Sequence, residues 1–331
     1  MGLFTSPHLV SINERIQIDG ENISDADFVW AFETVKEKFT QHPSFFEVMF
    51  AMAAVYFREK KCDFVVYETG MGGRLDATNV LMPELSIITS VGMDHMEYLG
   101  DTIEKIAAEK AGIIKPGIPI IYFKRDEAVA KVIEDTARGQ KSPVIPVEKQ
   151  DYIINHLGDK TIDFSLHSRY YSYCNLVIQK TSLYQLENIS LAVMAFYGLM
   201  KARNASEEDI EKGIRETLPE FYWEGRMEEI APHIYVDGAH NVEAIRAYID
   251  TMRTLHGDDR KILVFAAVRD KEYGAMISML ASQLKWDRII VTSVDSSRKA
   301  DSGKLAQIFA DNTDVPVLVS DEIDAAMDMA V

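Results

Sequence analysis

The sequence predicts an α/β protein with two domains, a larger one built on a mostly parallel sheet and a smaller, doubly wound one. In two stretches, residues 63–138 and 234–319, short apolar runs alternate with helical patterns, a rhythm typical of parallel sheets covered by helices. Residues 151–179 instead alternate polar and apolar positions, which indicates antiparallel hairpins. A chain of 331 residues is long enough for two domains, and we expect them to cover residues 1–224 and 225–331.

The elements of the larger domain follow from hydrophobic periodicity and from capping residues. Asp101 or Thr102 is a suitable N-cap for a helix that ends near Gly112, because a glycine commonly follows the last helical turn. The shorter apolar runs predict strands. In chain order we predict a helix at 44–60, strands at 63–68 and 85–91, a helix at 101–111, a strand at 118–123, and helices at 126–138, 182–202 and 206–217.

The smaller domain repeats this alternation after a junction near Phe221–Arg226. Its first strand leads directly into Asp237, and the chain ends in a helical pattern. In chain order we predict a strand at 234–236, a helix at 242–255, a strand at 262–267, a helix at 273–285, a strand at 289–293, a helix at 303–311 and a strand at 315–319.

Composition and charge argue against several classes of function. The chain has 35 Lys and Arg against 52 Asp and Glu, a net charge of −17, so nucleic acids and anionic membranes would be repelled. Its two cysteines, Cys62 and Cys174, cannot build a disulfide framework or a cysteine zinc cluster. No apolar run approaches the roughly 18 residues of a spanning helix. We expect a cytoplasmic protein that acts on small molecules.

A glycine-rich loop, Gly70–Asn79, follows the strand predicted at 63–68, and Glu68 lies where that strand ends. Ligands bind at the carboxyl ends of strands in open α/β sheets, and a carboxylate beside glycine backbone suits a metal–phosphate site. The loop is not a dinucleotide-binding G-x-G-x-x-G, because Leu75 occupies the third position after Gly72. The alternative is a glycine-rich turn beside a solvated acid.

A series of short motifs extends over nearly the whole chain. They are T-S-P-H-L at 5–9, N-E-R-I at 13–16, F-F-E-V at 45–48, Y-E-T-G-M-G-G-R-L-D-A-T-N at 67–79, D-H at 94–95, G-D-T at 100–102, E-K-A-G-I at 109–113, E-N at 187–188, G-R at 225–226 and D-G-A-H-N at 237–241. Each motif is weak alone. In this order and spacing they resemble the folylpolyglutamate synthase / dihydrofolate synthase family, a branch of the Mur-type ATP-dependent amide ligases.

The resemblance implies a Mur-ligase-like fold and an ATP-dependent ligase that joins an acid to an amino acid. Such an enzyme would phosphorylate folate or dihydropteroate and join the acyl phosphate to L-glutamate. Two alternatives remain, a Mur-type cell-wall ligase and a non-catalytic folate- or nucleotide-binding remnant. The T-S-P-H, N-E-R-I and G-G-R-L-D-A-T-N combination favours the folate ligase, and the enzyme is expected to be a monomer.

The resemblance assigns two magnesium sites to Ser6, Glu68 and His95. Magnesium prefers oxygen ligands and keeps several waters, so Glu68 is the main candidate, with the Ser6 hydroxyl on the same ion. His95 follows the next strand and is assigned to the second magnesium, and we expect the three residues to converge. Without the resemblance, Glu68 is a surface acid, Ser6 belongs to a turn and His95 is a structural histidine.

The resemblance also implies that Lys110 is a catalytic residue carbamylated by carbon dioxide. A buried neutral amine with a lowered pKa can react in this way, and the product carries a carboxylate-like head towards the cations. The alternative is a solvated lysine favoured by the carboxyl end of its helix.

For ATP, the resemblance places Asn188 at the adenine, Arg226 at the phosphates and Asp237 at the ribose. His240, together with Asn241, is a candidate for holding the γ-phosphate or the incoming glutamate. Asp237 and His240 are also candidate catalytic residues. The alternative for Asp237 is an ordinary turn before a helix.

The remaining substrate-side residues implied by the resemblance are Thr5, Pro7, His8 and Arg15, beside the pterin, and Arg74 in the glycine-rich loop. That loop resembles the family's Ω-shaped loop, which packs against a phosphate-binding loop.

The chain departs from the family at its start. The family begins with a G-x-x-G-K-[ST] loop upstream of T-S-P-H, and no G-x-x-x-x-G-K-[ST] occurs in the 331 residues. We therefore expect a fragment or a mis-started gene model that is inactive without this loop. Its sheet should lack a central strand, which would leave Val65–Tyr67 and Ile87–Thr89 as exposed edges. Arg74, Asp76 and Asn79 should then lack their usual support.

Overall fold

The chain folds into two compact α/β units in a computed structural model that describes residues 1–158, 160–179, 182–256 and 259–330. The first unit contains Met1–Lys149 and Met194–Asn204, and the second contains Gln150–Val193 and the chain from Ala205 onward. None of the helices in the described ranges is long and apolar enough to cross a membrane. The domain boundary between residues 224 and 225 remains a prediction.

The first unit contains a four-stranded sheet built largely from the amino-terminal residues. Its strands are β1 (Gly2–Phe4), β2 (Ile16–Ile18), β3 (Glu21–Asn22) and β4 (Val65–Tyr67). The order across the sheet is β3-β2-β1-β4, with β1 and β4 parallel and the other pairs antiparallel. Of these four strands, only β4 was predicted from the sequence, because it overlaps the apolar run at 64–66.

Two helices, α1 (Asp25–Lys36) and α2 (Phe45–Glu59), share a core with this sheet. A capping box begins α2, in which the Ser44 Oγ accepts the Glu47 N–H at 3.2 Å and the Glu47 carboxylate accepts the Ser44 N–H at 2.6 Å. The helix predicted at 44–60 is confirmed. The side chains buried in this core include Phe4, Ile16, Ala31, Met49, Met52 and Phe57.

A second sheet in the first unit is parallel and three-stranded. Its strands are β5 (Ser86–Ile88), β6 (Ile120–Phe123) and β7 (Val144–Val147), and the neighbouring helices are α3 (Met96–Leu99), α4 (Ile103–Ala111) and α5 (Glu127–Gln140). Thr102 is the N-cap of α4, and Gly112 follows its last residue. Both ends of α4 therefore lie where the sequence predicted them.

Each of the two sheets in the first unit has an edge strand that, among the described residues, forms hydrogen bonds with a neighbouring strand on one side alone. These strands are β4, whose neighbour is β1, and β5, whose neighbour is β6. Apolar side chains stand exposed on both, Val66 at 50% and Ile87 at 37% of full exposure. The expectation of exposed edges at these two places agrees with the structure.

The second unit begins with an antiparallel sheet, as the alternation at 151–179 predicted. Its strands are β8 (Tyr152–Leu157), β9 (Thr161–His167) and β10 (Ser172–Gln179). The helices that follow along the chain are α6 (Gln185–Ala202), whose residues from Met194 belong to the first unit, and α7 (Glu207–Thr217). Ser206 is the N-cap of α7.

A two-stranded hairpin, β11 (Arg226–Ala231) and β12 (Ile234–Asp237), comes next. The strand predicted at 234–236 therefore exists, but it pairs antiparallel with β11 instead of beginning the parallel sheet. His233 has a φ of 64°, the left-handed conformation that closes tight turns. The sequence did not predict β11, because its charged residues disfavour strands.

The parallel sheet of the second unit has the order β13-β14-β15. Its strands are β13 (Ile262–Phe265), β14 (Arg288–Val291) and β15 (Val317–Val319), and its helices are α8 (Val242–His256), α9 (Tyr273–Gln283), α10 (Ser302–Ala310) and α11 (Ile323–Ala330). These elements match the predicted alternation within a few residues at each end.

Candidate active site

The segment that follows β1 lies against Glu68. Because β1 and β4 are parallel neighbours, the residues after both strands emerge at the same edge of the sheet. The Ser6 N–H donates to Glu68 Oε2 at 2.7 Å, and the Ser6–Pro7 peptide bond is cis. The structure therefore brings together two predicted metal ligands that lie 62 positions apart in the sequence.

Arg15 is held beside this segment by a histidine and an aromatic ring. Its Nε–H donates to His8 Nδ1 at 2.8 Å, and its guanidinium carbon lies 5.2 Å from the centre of the Phe45 ring. The Thr5 N–H donates to the Arg15 carbonyl at 3.0 Å. Burial lowers the pKa of Arg15, and the negative charge of Glu68 opposes that shift. The predicted substrate-side residues of this segment thus form one cluster.

Asp76 organises the glycine-rich loop from within. One carboxylate oxygen accepts the N–H groups of Gly70 at 2.9 Å and Met71 at 3.1 Å. The other accepts the N–H of Thr78 at 2.9 Å and its hydroxyl at 2.6 Å. The carboxylate therefore holds both arms of the loop in one conformation.

The loop is also fastened to α4. The Arg74 Nε and Nη2 groups both donate to Glu109 Oε1, at 3.1 and 3.0 Å. The Asn79 side-chain amide donates to the carbonyls of Arg74 and Gly112, at 3.0 and 3.1 Å. The loop takes these partners from itself and from α4, but Asn79 Oδ1 is buried without a hydrogen-bond partner among the described residues. The expectation that Arg74, Asp76 and Asn79 would lack support is therefore wrong for Arg74 and Asp76 and agrees with the structure for this one oxygen of Asn79.

Lys110, near the end of α4, lies close to the loop that carries His95. Burial lowers the pKa of Lys110, and the negative charge of Asp94 opposes that shift. Asp94 accepts the His95 N–H at 2.8 Å, and His95 is exposed, with a left-handed φ of 53°. Lys110 is therefore half-buried beside a carboxylate, which is not the environment of a solvated surface lysine.

The oxygen donors at the β1–β4 edge suit magnesium. Glu68 supplies a carboxylate and Ser6 a hydroxyl, and magnesium completes its shell with water and phosphate oxygens. Within the described ranges, no group of three or more His, Cys, Asp or Glu side chains is arranged to hold a metal ion. The convergence of His95 with Ser6 and Glu68 remains a prediction.

In the second unit, Asp237 ends β12 beside the start of β11. Its carboxylate accepts the N–H groups of Ala239 at 2.9 Å and Met227 at 3.0 Å, and the Ser182 hydroxyl lies at 3.4 Å. Arg226 is its cross-strand partner in the hairpin. Burial raises the pKa of Asp237, although these N–H groups and the Arg226 charge oppose the shift.

Asn188 and His240 both lie exposed in the second unit. The Asn188 amide donates to Gln185 Oε1 at 2.7 Å, one turn earlier in α6. His240 Nδ1 lies 2.9 Å from the Gly238 carbonyl, so Nδ1 carries the proton and Nε2 of the neutral ring is an acceptor. Asp237 ends β12 and His240 follows it, as predicted.

Two family descriptions match this chain. Residues 28–197 match the Mur ligase middle domain, and residues 225–331 match the glutamate ligase domain of Mur ligases. The dihydrofolate synthase/folylpolyglutamate synthase of Bacillus subtilis is 37% identical over 294 residues, which are 85% of this chain and 67% of that protein. The chain belongs to the folylpolyglutamate synthase family of Mur ligases.

Solved structures of folylpolyglutamate synthases have the same fold. The enzyme of Thermotoga maritima is 31% identical, with a TM-score of 0.83 over 99% of this chain and 76% of that one. The ADP complex of the Mycobacterium tuberculosis enzyme is 28% identical, with a TM-score of 0.86 over 99% of this chain and 76% of that one. The predicted fold class, family and ligase class are confirmed.

Several residues of this folylpolyglutamate synthase site were not predicted individually. Phe45 and Glu109 lie within motifs of the family, but their contacts with Arg15 and Arg74 depend on tertiary structure. Asp94 is a sequence neighbour of His95, and its closeness to Lys110 could not be read from spacing.

Proposed function

We propose that this chain provides the catalytic and nucleotide-binding residues of an ATP-dependent ligase that joins L-glutamate to folate or dihydropteroate. ATP would phosphorylate the carboxylate of the folate-type substrate. The glutamate amine would then attack the acyl phosphate, form the amide bond and release inorganic phosphate. The observation that carries this proposal is the close relation to the Bacillus subtilis enzyme over 85% of the chain. No feature of the described residues favours a cell-wall substrate.

The cluster after β1 would bind and orient the acid to be activated. Arg15 is fixed by His8 and Phe45, so its charge is held in place before an anionic substrate arrives. Thr5 and Pro7 belong to the same segment, and Arg74, held by Glu109, would contact the substrate from the glycine-rich loop. Preorganised charge of this kind stabilises the negative charge that develops as the acyl phosphate forms.

Ser6, Glu68 and His95 would hold the magnesium ions. Magnesium bound with ATP neutralises phosphate charge and supplies a Lewis acid at the reacting phosphoryl group. Among the candidate ligands, Glu68 and Ser6 have the oxygen chemistry that magnesium prefers. The imidazole of His95 is a less usual magnesium ligand, and its assignment rests on the family resemblance.

Lys110 would be carbamylated. Its neutral amine would add to carbon dioxide, forming a nitrogen–carbon bond and losing a proton to solvent, and the product would carry one negative charge. Its lowered pKa supports the supply of neutral amine.

In the second unit, Asn188 would contact adenine, Arg226 the phosphates and Asp237 the ribose. His240 would bind the γ-phosphate or glutamate.

A phosphate-release assay tests the proposal. Release is measured with magnesium, ATP, L-glutamate and either folate or dihydropteroate. The 331-residue chain is compared with the same chain preceded by the phosphate-binding loop segment of the Bacillus subtilis relative. We expect turnover that needs both substrates in the loop-bearing protein, and none above background in the 331-residue chain, because loop amides and the loop lysine grip the phosphates.

Three results would contradict this account. Equal turnover by both proteins would show that the loop is dispensable. Turnover only with a nucleotide-linked muramyl peptide would identify a cell-wall ligase. Nucleotide binding without turnover in the loop-bearing protein would favour a non-catalytic role.

We further propose that the protein is cytoplasmic, that its partners are these small molecules and neither nucleic acid nor membrane, and that the loop-bearing enzyme is a monomer.

A further inference from the structure

The Glu14 side chain binds three successive backbone groups of the segment that follows β1. The Leu9 N–H donates to Glu14 Oε2 at 2.7 Å, and the Val10 N–H donates to Oε1 at 3.0 Å. The Ser11 N–H also donates to Oε1. The N–H groups of Ser11 and Leu9 lower the pKa of Glu14, so the carboxylate is ionised at neutral pH. Hydrogen bonds to an ionised acceptor are stronger than those between neutral groups.

The backbone beside Glu14 holds the other end of the same segment. The Glu14 carbonyl accepts the Thr5 hydroxyl at 3.4 Å. The carbonyl of the next residue, Arg15, accepts the Thr5 N–H at 3.0 Å. The segment is therefore attached to this short stretch of chain twice, at Thr5 and again at Leu9–Ser11, and residues 6–8 span the distance between the two attachments.

The residues between the two attachments are those that the proposed function uses. Ser6 donates its N–H to Glu68 at 2.7 Å, and His8 accepts the Arg15 Nε–H at 2.8 Å. A short span with both ends held has few conformations, so less entropy is lost when a ligand orders it. Holding the ends therefore prepares Ser6 and His8 for binding.

Glu14 is itself fixed to the rest of the first unit. It lies in a single turn of 3-10 helix, Ile12–Arg15. The Asn13 side-chain amide donates to the Ile23 carbonyl at 2.8 Å and to the Asp25 carboxylate at 2.9 Å. Neighbouring residues of the N-E-R-I motif thus have different partners, Asn13 at the start of α1 and Glu14 in the segment after β1.

We propose that Glu14 is a positioning residue that holds Ser6 and His8 in place for magnesium and for the folate-type acid. This inference rests on the proposed function. Glu14 would touch neither ligand, because backbone N–H groups occupy both of its carboxylate oxygens. Its effect should reach magnesium through Ser6 and the acid through His8 and Arg15. It should not reach L-glutamate, whose proposed partner is His240.

A capping role alone is the competing explanation. Glu14 completes a capping box with Ser11 at the start of the 3-10 helix. That box needs only the contact with the Ser11 N–H, whereas the contacts with Leu9 and Val10 reach further back towards His8. The two explanations differ in their effect on catalysis, because a cap alone would change local stability and leave substrate binding unchanged.

The first measurement is hydrogen exchange by mass spectrometry on the 331-residue chain carrying Glu14→Gln. Glutamine keeps the length of the side chain, but its NH2 group cannot accept an N–H, so at least one contact is lost. Exchange of a peptide that contains residues 9–11 should become about three- to tenfold faster. The control is Asp126→Asn, because the Asp126 carboxylate also accepts two backbone N–H groups, those of Ala128 and Val129 at 2.7 and 3.1 Å. The control should leave exchange of this peptide unchanged.

The second measurement is the steady-state kinetics of the loop-bearing enzyme with the same two substitutions. In Glu14→Gln, the KM for the folate-type acid and the magnesium concentration at half-maximal rate should each rise about three- to tenfold. The kcat at saturation should stay within about threefold, and the KM for L-glutamate within about twofold. Asp126→Asn should change none of these values. Thermal unfolding of both variants checks that the fold is preserved.

The results separate this inference from the proposed function. Unchanged exchange at residues 9–11 would show that Glu14 does not hold the segment. Faster exchange with unchanged KM values would identify a cap and overturn the positioning role, while leaving the proposed function intact. An equal rise in the KM for L-glutamate would point to a general loss of structure and would also overturn it. Absence of turnover in the unsubstituted loop-bearing enzyme would contradict the proposed function and the inference together.

Discussion

At the scale of single residues, Lys110 lies half-buried on the helix that also holds the glycine-rich loop, and the negative charge of Asp94 acts on its amine. Burial disfavours its positive charge and lowers the pKa of Lys110, whereas the negative charge of Asp94 opposes that shift. The neutral amine is the reactive form towards carbon dioxide. The environment of Lys110 thus supports the chemistry that the family resemblance implied for it.

We predict that Lys110→Ala lowers turnover of the loop-bearing enzyme by roughly 10- to 100-fold, the usual effect of removing a group that supports a metal site. Short carboxylic acids such as acetate should restore part of the activity by replacing the carbamate. The matched control is Lys105→Ala, an exposed lysine of the same helix paired with Asp101. The carbamate signal in 13C NMR with labelled bicarbonate should disappear only in Lys110→Ala. Full activity of that variant would exclude the role.

We predict that Asp237→Asn changes how stability depends on pH. Burial raises the pKa of Asp237 above its unfolded value of about 3.9. Its contribution to stability is therefore fully present below that value and is lost as pH rises through the higher folded pKa. Asparagine does not titrate, so the variant does not lose this contribution. The free energy of unfolding of Asp237→Asn minus that of the unsubstituted chain should therefore increase as pH rises from the unfolded pKa to the folded pKa of Asp237. Urea unfolding at several pH values measures it, and a flat or opposite difference would contradict the assignment.

At the scale of elements, close contact between the glycine-rich loop and α4 depends on two glycines, Gly73 in the loop and Gly112 after the helix, where an added Cβ would lie 2.4 Å from the Arg74 Cβ. A Cβ at Gly73 would lie 2.8 Å from the Glu109 carbonyl oxygen and 2.9 Å from that of Lys110. Both are backbone atoms of a helix, which cannot yield as the end of a flexible side chain can. The loop can pack this closely against α4 because neither position carries a side chain.

Gly73→Ala should therefore destabilise the first unit by about 1–3 kcal/mol, as overpacking of a tight contact does. The control is Gly139→Ala in α5, where an added Cβ meets nothing within 4 Å. Because alanine is the better helix former, that change should be neutral or stabilise by up to about 1 kcal/mol. Thermal and urea unfolding of both variants distinguish them. Equal stability of the two would show that the loop moves away from α4 without loss.

Elements with strong local signals were predictable, and those created by pairing were not. The helix at 44–60 shows a broad apolar face, and Thr102 marks a helix start through its own side chain, so α2 and α4 were found. The strands β1 to β3 and β11 are short or charged, and they exist because a neighbour completes their hydrogen bonds. Likewise, Ser6 and Glu68 could be assigned to one site by resemblance, but the influence of the Asp94 charge on the pKa of Lys110 could not be read from the sequence.

At the scale of the whole molecule, β4 and β5 each present an edge that is unpaired on one side within the described part of the chain. Exposed Val66 and Ile87 add apolar surface to these edges. Unpaired backbone together with apolar side chains promotes association between chains.

We predict that the 331-residue chain self-associates in a concentration-dependent manner. The double variant Val66→Lys, Ile87→Lys should shift it towards monomer, because charged side chains on an edge strand oppose pairing. The control is Val10→Lys, which replaces an exposed valine outside any strand. Sedimentation velocity at several concentrations measures the effect. A monomer at all concentrations before substitution, or an equal response to Val10→Lys, would contradict this role of the edges.

Glu109 and Lys110 are consecutive residues of α4, and successive residues of a helix point about 100° apart around its axis. The first receives Arg74 from the glycine-rich loop, and the second lies beside Asp94. The rotation of this one short helix about its axis therefore sets the positions of both the Glu109 carboxylate and the Lys110 amine. Inserting or deleting a single residue ahead of position 109 would rotate both groups out of place together. A one-residue insertion or deletion in α4 should accordingly lower both stability and turnover more than a substitution of Glu109 or of Lys110 alone.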